Sequence, residues 1–235
     1  MRGIQMKKMR ILLSLIIVLT LGIGCSNLSS GEKTTKESSV DIVSSATLSR
    51  YREGEVKEYE GARLDPAIGP GDNSISGVQH VDIGTYRLKI DGLVNSPVEL
   101  TYDDVIRLDA YERKITLHCV EGWDAAILWK GVLLEDLIDL AGAKTEADTV
   151  IFHSVDGYTT SLPLDTIITN QLIMAYGANG LDLPDEIGYP FIIVAENKLG
   201  YKWARWVSEI ELSNDPSYLG YWEQRGYPNS AEINN

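Results

Sequence analysis

Two groups of residues in this chain have the types and spacing that chemistry needs. The first is Cys119-Val120-Glu121-Gly122-Trp123, followed by Trp129 and Gly131. Ile115, Leu117 and Cys119 alternate with Thr116, His118 and Val120, so a strand is predicted to end near Cys119 and to break at Gly122. A thiol where a strand becomes a loop is free to meet a ligand, and a thiolate suits a soft or borderline metal. The alternation points His118 away from Cys119. The second group is Lys198, Lys202 and Arg205, which follow a stretch from Thr145 to Asn197 that has neither Lys nor Arg. With Gly200 among them, they are candidates to hold a phosphate through point charges and backbone N–H groups. The competing reading is a basic flank that balances nearby acids.

The elements that must position these residues are legible on either side. Beyond Gly131 the period becomes helical: Leu134, Leu137, Ile138 and Ala141 fall at i, i+3, i+4 and i+7, with Gly142 where a C-terminal cap belongs. Upstream, Tyr86, Leu88 and Ile90 alternate before the Asp91-Gly92 turn, a short strand follows around Val98 to Leu100, and Thr101 is placed to cap a helix carrying Asp103 and Asp104. Val150 to Val155 and Tyr158 to Leu162 flank Asp156-Gly157 as a hairpin, with His153 inside it as a structural histidine. A short helix is expected over Pro163 to Thr169, and strands over Leu172 to Tyr176, Phe191 to Ala195 and Trp206 to Leu212. The tail from Asp215 to Tyr227 is dense in aromatics, as expected of a segment packed over the core.

Charge and cysteine usage bound the function. A formal charge of −13 over 235 residues lacks the clustered Lys and Arg that a phosphate backbone requires, which excludes nucleic acid as a partner. Residues 1–25 are expected to be a signal peptide: Lys7, Lys8 and Arg10 precede an apolar run from Ile11 to Ile23, shorter than the roughly 20 residues of a spanning helix. The run ends in Leu21-Gly22-Ile23-Gly24-Cys25-Ser26, which resembles a bacterial lipoprotein processing site, so Cys25 is the expected lipidation position; an uncleaved membrane anchor is the alternative. Cleavage removes Arg2, Lys7, Lys8 and Arg10 and leaves about −17. With Cys25 acylated, Cys119 is the second of only two cysteines and has no intramolecular partner: it is buried and inert, joined to another chain, or held by a metal. Residues 26–75 are expected to be a flexible tether and irregular lead-in, 76–227 the folded domain and 228–235 a tail.

The Cys119-Val120-Glu121-Gly122-Trp123 block with Trp129, Gly131 and Leu134 resembles the molybdopterin-binding oxidoreductases of the sulfite oxidase superfamily, most of all the branch of the periplasmic protein-methionine-sulfoxide reductase catalytic subunit. YRLKIDGLVNSPVELTYDDV looks like the opening of that family's domain, and the run from Leu172 through Gly188-Tyr189-Pro190-Phe191 looks like its second hallmark region. The resemblance implies an α+β fold of the sulfite oxidase catalytic-domain type, with mixed, mostly antiparallel sheets and a few short helices. It implies a molybdenum-molybdopterin cofactor whose metal takes Cys119 as ligand, the pterin dithiolene supplying two more sulfurs. Glu121 matches a site-facing glutamate able to pass protons, with a solvated loop acid as the alternative. Trp123 and Trp129 line the pocket or pack the core. Lys202 and Arg205 match the segment that binds the cofactor's terminal phosphate, His80 a cofactor-contacting histidine, with a surface or capping histidine as the alternative, and Tyr218 a tyrosine brought over the metal. Two departures bear on the substrate. Asp124 stands where sulfite oxidases place an anion-holding arginine, and Ile187-Gly188-Tyr189-Pro190-Phe191-Ile192 replaces a run containing His and Arg. The expected activity is therefore reduction of S-oxide or N-oxide groups, with sulfite oxidation or a metal-free binding module as alternatives. Without a Cys-x-x-Cys-His haem motif, electrons are expected from a separate membrane or cytochrome partner. The leader has Lys7-Lys8 and no Arg-Arg pair, a form suited to export of unfolded chains and at odds with a cofactor loaded into folded protein.

Overall fold

The computed structural model describes residues 45–69 and 73–233; the expected signal peptide and Cys25 lie outside them. The chain runs α1 (Ser45–Gly54), β1 (Glu58–Tyr59), β2 (Ala62–Arg63), β3 (Leu88–Gly92), β4 (Val98–Leu100), α2 (Tyr102–Ile106), β5 (Tyr111–His118) and β6 (Asp124–Leu133). It continues through α3 (Leu134–Ala141), β7 (Thr149–Ser154), β8 (Thr159–Pro163), α4 (Leu164–Thr169), β9 (Ile173–Ala178), β10 (Leu181–Asp182), β11 (Ile192–Val194) and β12 (Val207–Ser213).

The strands form two five-stranded sheets and the small β1-β2 hairpin. One sheet has the order β10-β9-β6-β5, with β11 sharing the edge of β9 with β10. The other has the order β4-β3-β12-β7-β8, in which β12 pairs parallel with β3; every other pairing is antiparallel. This is the α+β, mostly antiparallel architecture that the resemblance implied.

Helix α3 joins the sheets. Its periodic residues Leu134, Leu137, Ile138 and Ala141 are all buried, and it packs against β3 and β6. Each large apolar side chain so placed contributes about 1.5–3 kcal/mol. The helix ends at Gly142 (φ 68°), where the predicted cap stands. Helix α2 is fixed by a capping box: Thr101 Oγ1 accepts from the Asp104 N–H at 3.1 Å, and Asp104 Oδ2 accepts from the Thr101 N–H at 3.0 Å. His153, expected to be structural, bonds Glu211 across the β7-β12 pair at 2.8 Å.

The lead-in is more ordered than its composition indicates. Residues 45–54 are helical and 58–63 form a hairpin, where a tether and irregular chain were expected. The reason is a buried carboxylate. Glu55, with no exposed side-chain surface, accepts from the Ala67 N–H at 2.7 Å and from Asn179 Nδ2 at 2.9 Å, and pairs with Arg52. Asn179 Oδ1 in turn accepts from the Leu128 N–H in β6. One network thus ties the segment that follows α1 to the sheet, and brings residues 67–69 and 73–75 to the site described next.

Candidate active site

Strand β5 ends at His118, and the chain returns into β6 through a tight loop. The Cys119 N–H donates to the Trp123 carbonyl at 2.9 Å, and the Gly122 N–H to the Cys119 carbonyl at 3.0 Å, with Gly122 at φ 86°. His118 also forms a parallel β-bridge with Leu199, which lays the 198–205 segment beside the loop. The two segments lie side by side: a Cβ at Gly200 would make ordinary contact, 3.4 Å from the His118 carbonyl and 3.8 Å from the Cys119 Cα.

A cavity of about 570 Å³ opens between these segments, within the range of cofactor and ligand sites. Cys119 is in its wall and only 9% exposed. Burial pushes the thiol pKa up; the Glu121 backbone N–H opposes this, as do the Asn73 amide and Arg205, while the Glu121 carboxylate adds to the rise. Asn73 Nδ2 reaches the sulfur at 3.5 Å, and the Glu121 carboxylate stands 4.0 Å away. Trp123 Nε1 donates to that carboxylate at 3.3 Å and so fixes its direction. Arg205 enters from the opposite segment, with Nη1 donating to the Glu186 carbonyl at 3.0 Å and the guanidinium 4.8 Å from the Trp206 ring centre.

Of the residues singled out in the sequence, Cys119, Glu121, Trp123, Trp129 and Arg205 come together on this cavity. Trp129 satisfies both readings: it lines the cavity and is 1% exposed, with Nε1 donating to the Ile115 carbonyl and its ring tilted against Trp203 at 5.6 Å. Three residues fall elsewhere. Lys202 has no exposed side-chain surface; its ammonium is committed to Glu223, to the Ser161 carbonyl and to Asn229, and it is not among the residues that line the cavity. With its three donors so taken, the ammonium has none left for the expected phosphate contact. Tyr218 donates its hydroxyl to Thr159 Oγ1 at 2.9 Å and is not in the cavity wall, because the aromatic tail follows β8 there. His80 is largely solvent-exposed and bonds Asp185 at 2.5 Å, also outside the wall. Asp124, expected to bring negative charge to the site, turns to His118 at 2.7 Å and does not line the cavity either.

The residues that sequence reasoning missed are Asn73, Asp156, Tyr158, Glu186, Trp222 and Tyr227, all of which line the cavity. Asp156 and Tyr158 flank the β7-β8 turn, and Tyr158 donates to the Tyr201 carbonyl. The only signal available was the aromatic density of the tail, which could not say which ring faces inward. Burial pushes the Tyr158 phenol well above its usual range and Tyr201 up to about 12, so both stay protonated donors at ordinary pH.

Comparisons with known proteins show the family. The family described as oxidoreductase molybdopterin binding domain matches residues 75–222. The uncharacterized oxidoreductase YuiH of Bacillus subtilis is 37% identical over 147 residues, covering 62% of this chain and 74% of that protein. The putative protein-methionine-sulfoxide reductase subunit YedZ1 of Azospira oryzae is 35% identical over 152 residues, covering 64% of this chain and 57% of that protein. Rat mitochondrial sulfite oxidase is 28% identical, with 64% of this chain matched to 33% of that protein. The chain thus spans about three quarters of YuiH and much less of the relatives named for an activity. Among solved structures, the sulfane dehydrogenase SoxCD of Paracoccus pantotrophus shares the fold, with a TM-score of 0.57 at 24% identity over 59% of this chain and 41% of that one.

The residues present fit the molybdenum cofactor. Cys119 offers a soft ligand, Arg205 a cation for an anionic group, and Trp129, Trp203 and Tyr201 flat walls for a pterin ring. The match spans most of the folded body, and the chain belongs to the molybdopterin-binding oxidoreductase family, within the sulfite oxidase superfamily, with the molybdenum cofactor as its cofactor.

Proposed function

We propose that this chain is an exported, membrane-anchored enzyme that reduces S-oxide or N-oxide groups at a molybdenum held by Cys119, using electrons from a separate protein. The observation that carries the substrate class is the charge of the cavity. Its described lining residues include three carboxylates, those of Glu121, Asp156 and Glu186, and one guanidinium, that of Arg205. A sulfite-like dianion would be desolvated there against three carboxylates, each costing on the order of 1 kcal/mol or more at a few ångströms. A neutral oxide incurs no such repulsion. Arg205 alone favours an anion, and it already donates to the Glu186 carbonyl and stacks on Trp206.

The overall change is R₂S=O plus two electrons and two protons, giving R₂S and water. When bound, the cofactor supplies the two-electron redox chemistry. Cys119 anchors it, and the Glu121 carboxyl, gripped by Trp123 and solvent-exposed at the cavity edge, delivers protons and is recharged from water. The aromatic walls pack the substrate's apolar groups and exclude water. The sulfoxide-reductase name of one relative supports the same direction of reaction. For location, support comes from the leader: a basic start, a short apolar run and Cys25. The test is turnover of methionine sulfoxide, dimethyl sulfoxide and trimethylamine N-oxide with a reduced viologen dye, against sulfite oxidation with an electron acceptor. Oxide reduction is expected; sulfite turnover faster than every oxide tried overturns the proposal.

A further inference from the structure

The C-terminal segment from Pro216 to Ile233 supplies part of the cavity wall through Trp222 and Tyr227. It is fastened to two partners, β8 and the 198–202 segment. On β8, the Tyr221 N–H donates to the Thr159 carbonyl at 2.9 Å, and Gly220 lies so close that a Cβ would sit 2.2 Å from the same oxygen. On the 198–202 segment, the Leu199 N–H donates to the Ala231 carbonyl at 2.9 Å, the Tyr201 hydroxyl to the Pro228 carbonyl at 2.6 Å, and Lys198 pairs with Glu232. Leu199 is also the residue that bridges to His118, next to Cys119.

Between these two lines of attachment lies the Lys202–Glu223 pair, with neither side chain exposed. The Lys202 ammonium has three donors and three acceptors: Glu223 Oε1, the Ser161 carbonyl at 3.0 Å and Asn229 Oδ1 at 2.8 Å. Glu223 Oε1 also accepts from Thr160 Oγ1 at 2.7 Å, while Oε2 is buried with no partner among the described residues. Apolar side chains of similar volume often match or exceed the stability of a buried ion pair, so stability alone does not account for one here. What the pair does specify is register, because its bonds close only when the segment lies in this one position. The unpartnered oxygen weakens the attachment relative to a fully satisfied network, as a wall that must lift requires.

We propose that Lys202 and Glu223 are positioning residues that latch the C-terminal segment as a removable wall of the cofactor cavity, holding Trp222 and Tyr227 against the bound cofactor and retarding its loss. The inference rests on the family's cofactor and not on the identity of the substrate. It gives Lys202 a part in cofactor retention without phosphate contact.

The test uses the full-length, cofactor-loaded protein from its own host, with no substrate present. Pterin release is followed by the fluorescence of the freed pterin, and opening of the segment by the rate of proteolytic cleavage between residues 216 and 233. Glu223→Gln is expected to raise both rates by about tenfold or more at a temperature where circular dichroism shows the fold intact. Trp222→Ala leaves the ion pair in place and is expected to raise pterin release without raising cleavage. Should Glu223→Gln fail to accumulate as folded protein, Glu223→Asp replaces it, with increases in the same direction. A folded Glu223 variant with a lowered Tm that releases pterin at the wild-type rate overturns the proposal, because the pair is then structural only. Because no substrate is used, absence of oxide turnover would leave these readouts unaffected.

Discussion

His118 and Leu199 form a parallel β-bridge, and through it the loop that carries Cys119 and the segment that carries Arg205 become two walls of one cavity. Neither segment has a site alone. The bridge sets Arg205 opposite the thiol, and the same segment also receives the C-terminal segment, where the Leu199 N–H donates to the Ala231 carbonyl.

Glu121→Gln removes the proposed proton carrier and keeps the acceptor that Trp123 grips. Turnover of a sulfoxide is expected to fall about 100-fold or more, with KM within about twofold of wild type, as for loss of a general acid. Steady-state kinetics with a dye reductant checks this.

Asp124→Asn is expected to leave the same kinetics within about twofold, because the Asp124 carboxylate pairs with His118 outside the cavity and meets substrate only through a screened field. A large gain in sulfite oxidation by this variant would show that its charge does reach the site.

Gly131→Ala tests the sheet that supports the cavity. A Cβ at Gly131 would lie 2.2 Å from the Met174 carbonyl, at the irregularity where β6 pairs with β9. The contact is with backbone and has no side chain to move aside. A loss of about 3 kcal/mol, or a Tm lower by on the order of 10 °C, is expected in thermal unfolding.

Cys25→Ser tests the anchor. Acylation supplies the buried CH₂ groups that hold a soluble domain to a bilayer, so the variant is expected in the soluble fraction after cell fractionation. Unchanged membrane retention would point to an uncleaved apolar helix.

What was legible in the sequence was local. The alternation up to Cys119, the helical period from Leu134 to Ala141 and the Thr101 N-cap depend on neighbours within a few residues, and each is present. The roles of Lys202, Tyr218 and His80 depend instead on where a side chain turns. Glu223 and Asn229 claim Lys202, Thr159 claims Tyr218 and Asp185 claims His80, and none of these distant partners is signalled by spacing. The same holds for the lead-in: SATLSRYREG is polar and weakly amphipathic, and the segment it begins is fixed through Glu55, buried against Ala67 and Asn179. The reading of Asp124 as a charge near Cys119 failed for a related reason, since a tight loop separates the two and the strand pairing gives Asp124 to His118.

The central claim is that Cys119 holds the metal. X-ray absorption at the molybdenum edge counts the sulfur atoms around the metal in the loaded protein, and the comparison is between wild type and Cys119→Ser. Serine keeps the side chain's shape at a buried position, so the fold is expected to persist and the variant to retain some cofactor. The expected result is one sulfur neighbour fewer in the variant, together with loss of oxide turnover. An identical sulfur count in the two proteins would contradict ligation by Cys119, and molybdenum-free wild-type protein from the native host would remove the site altogether.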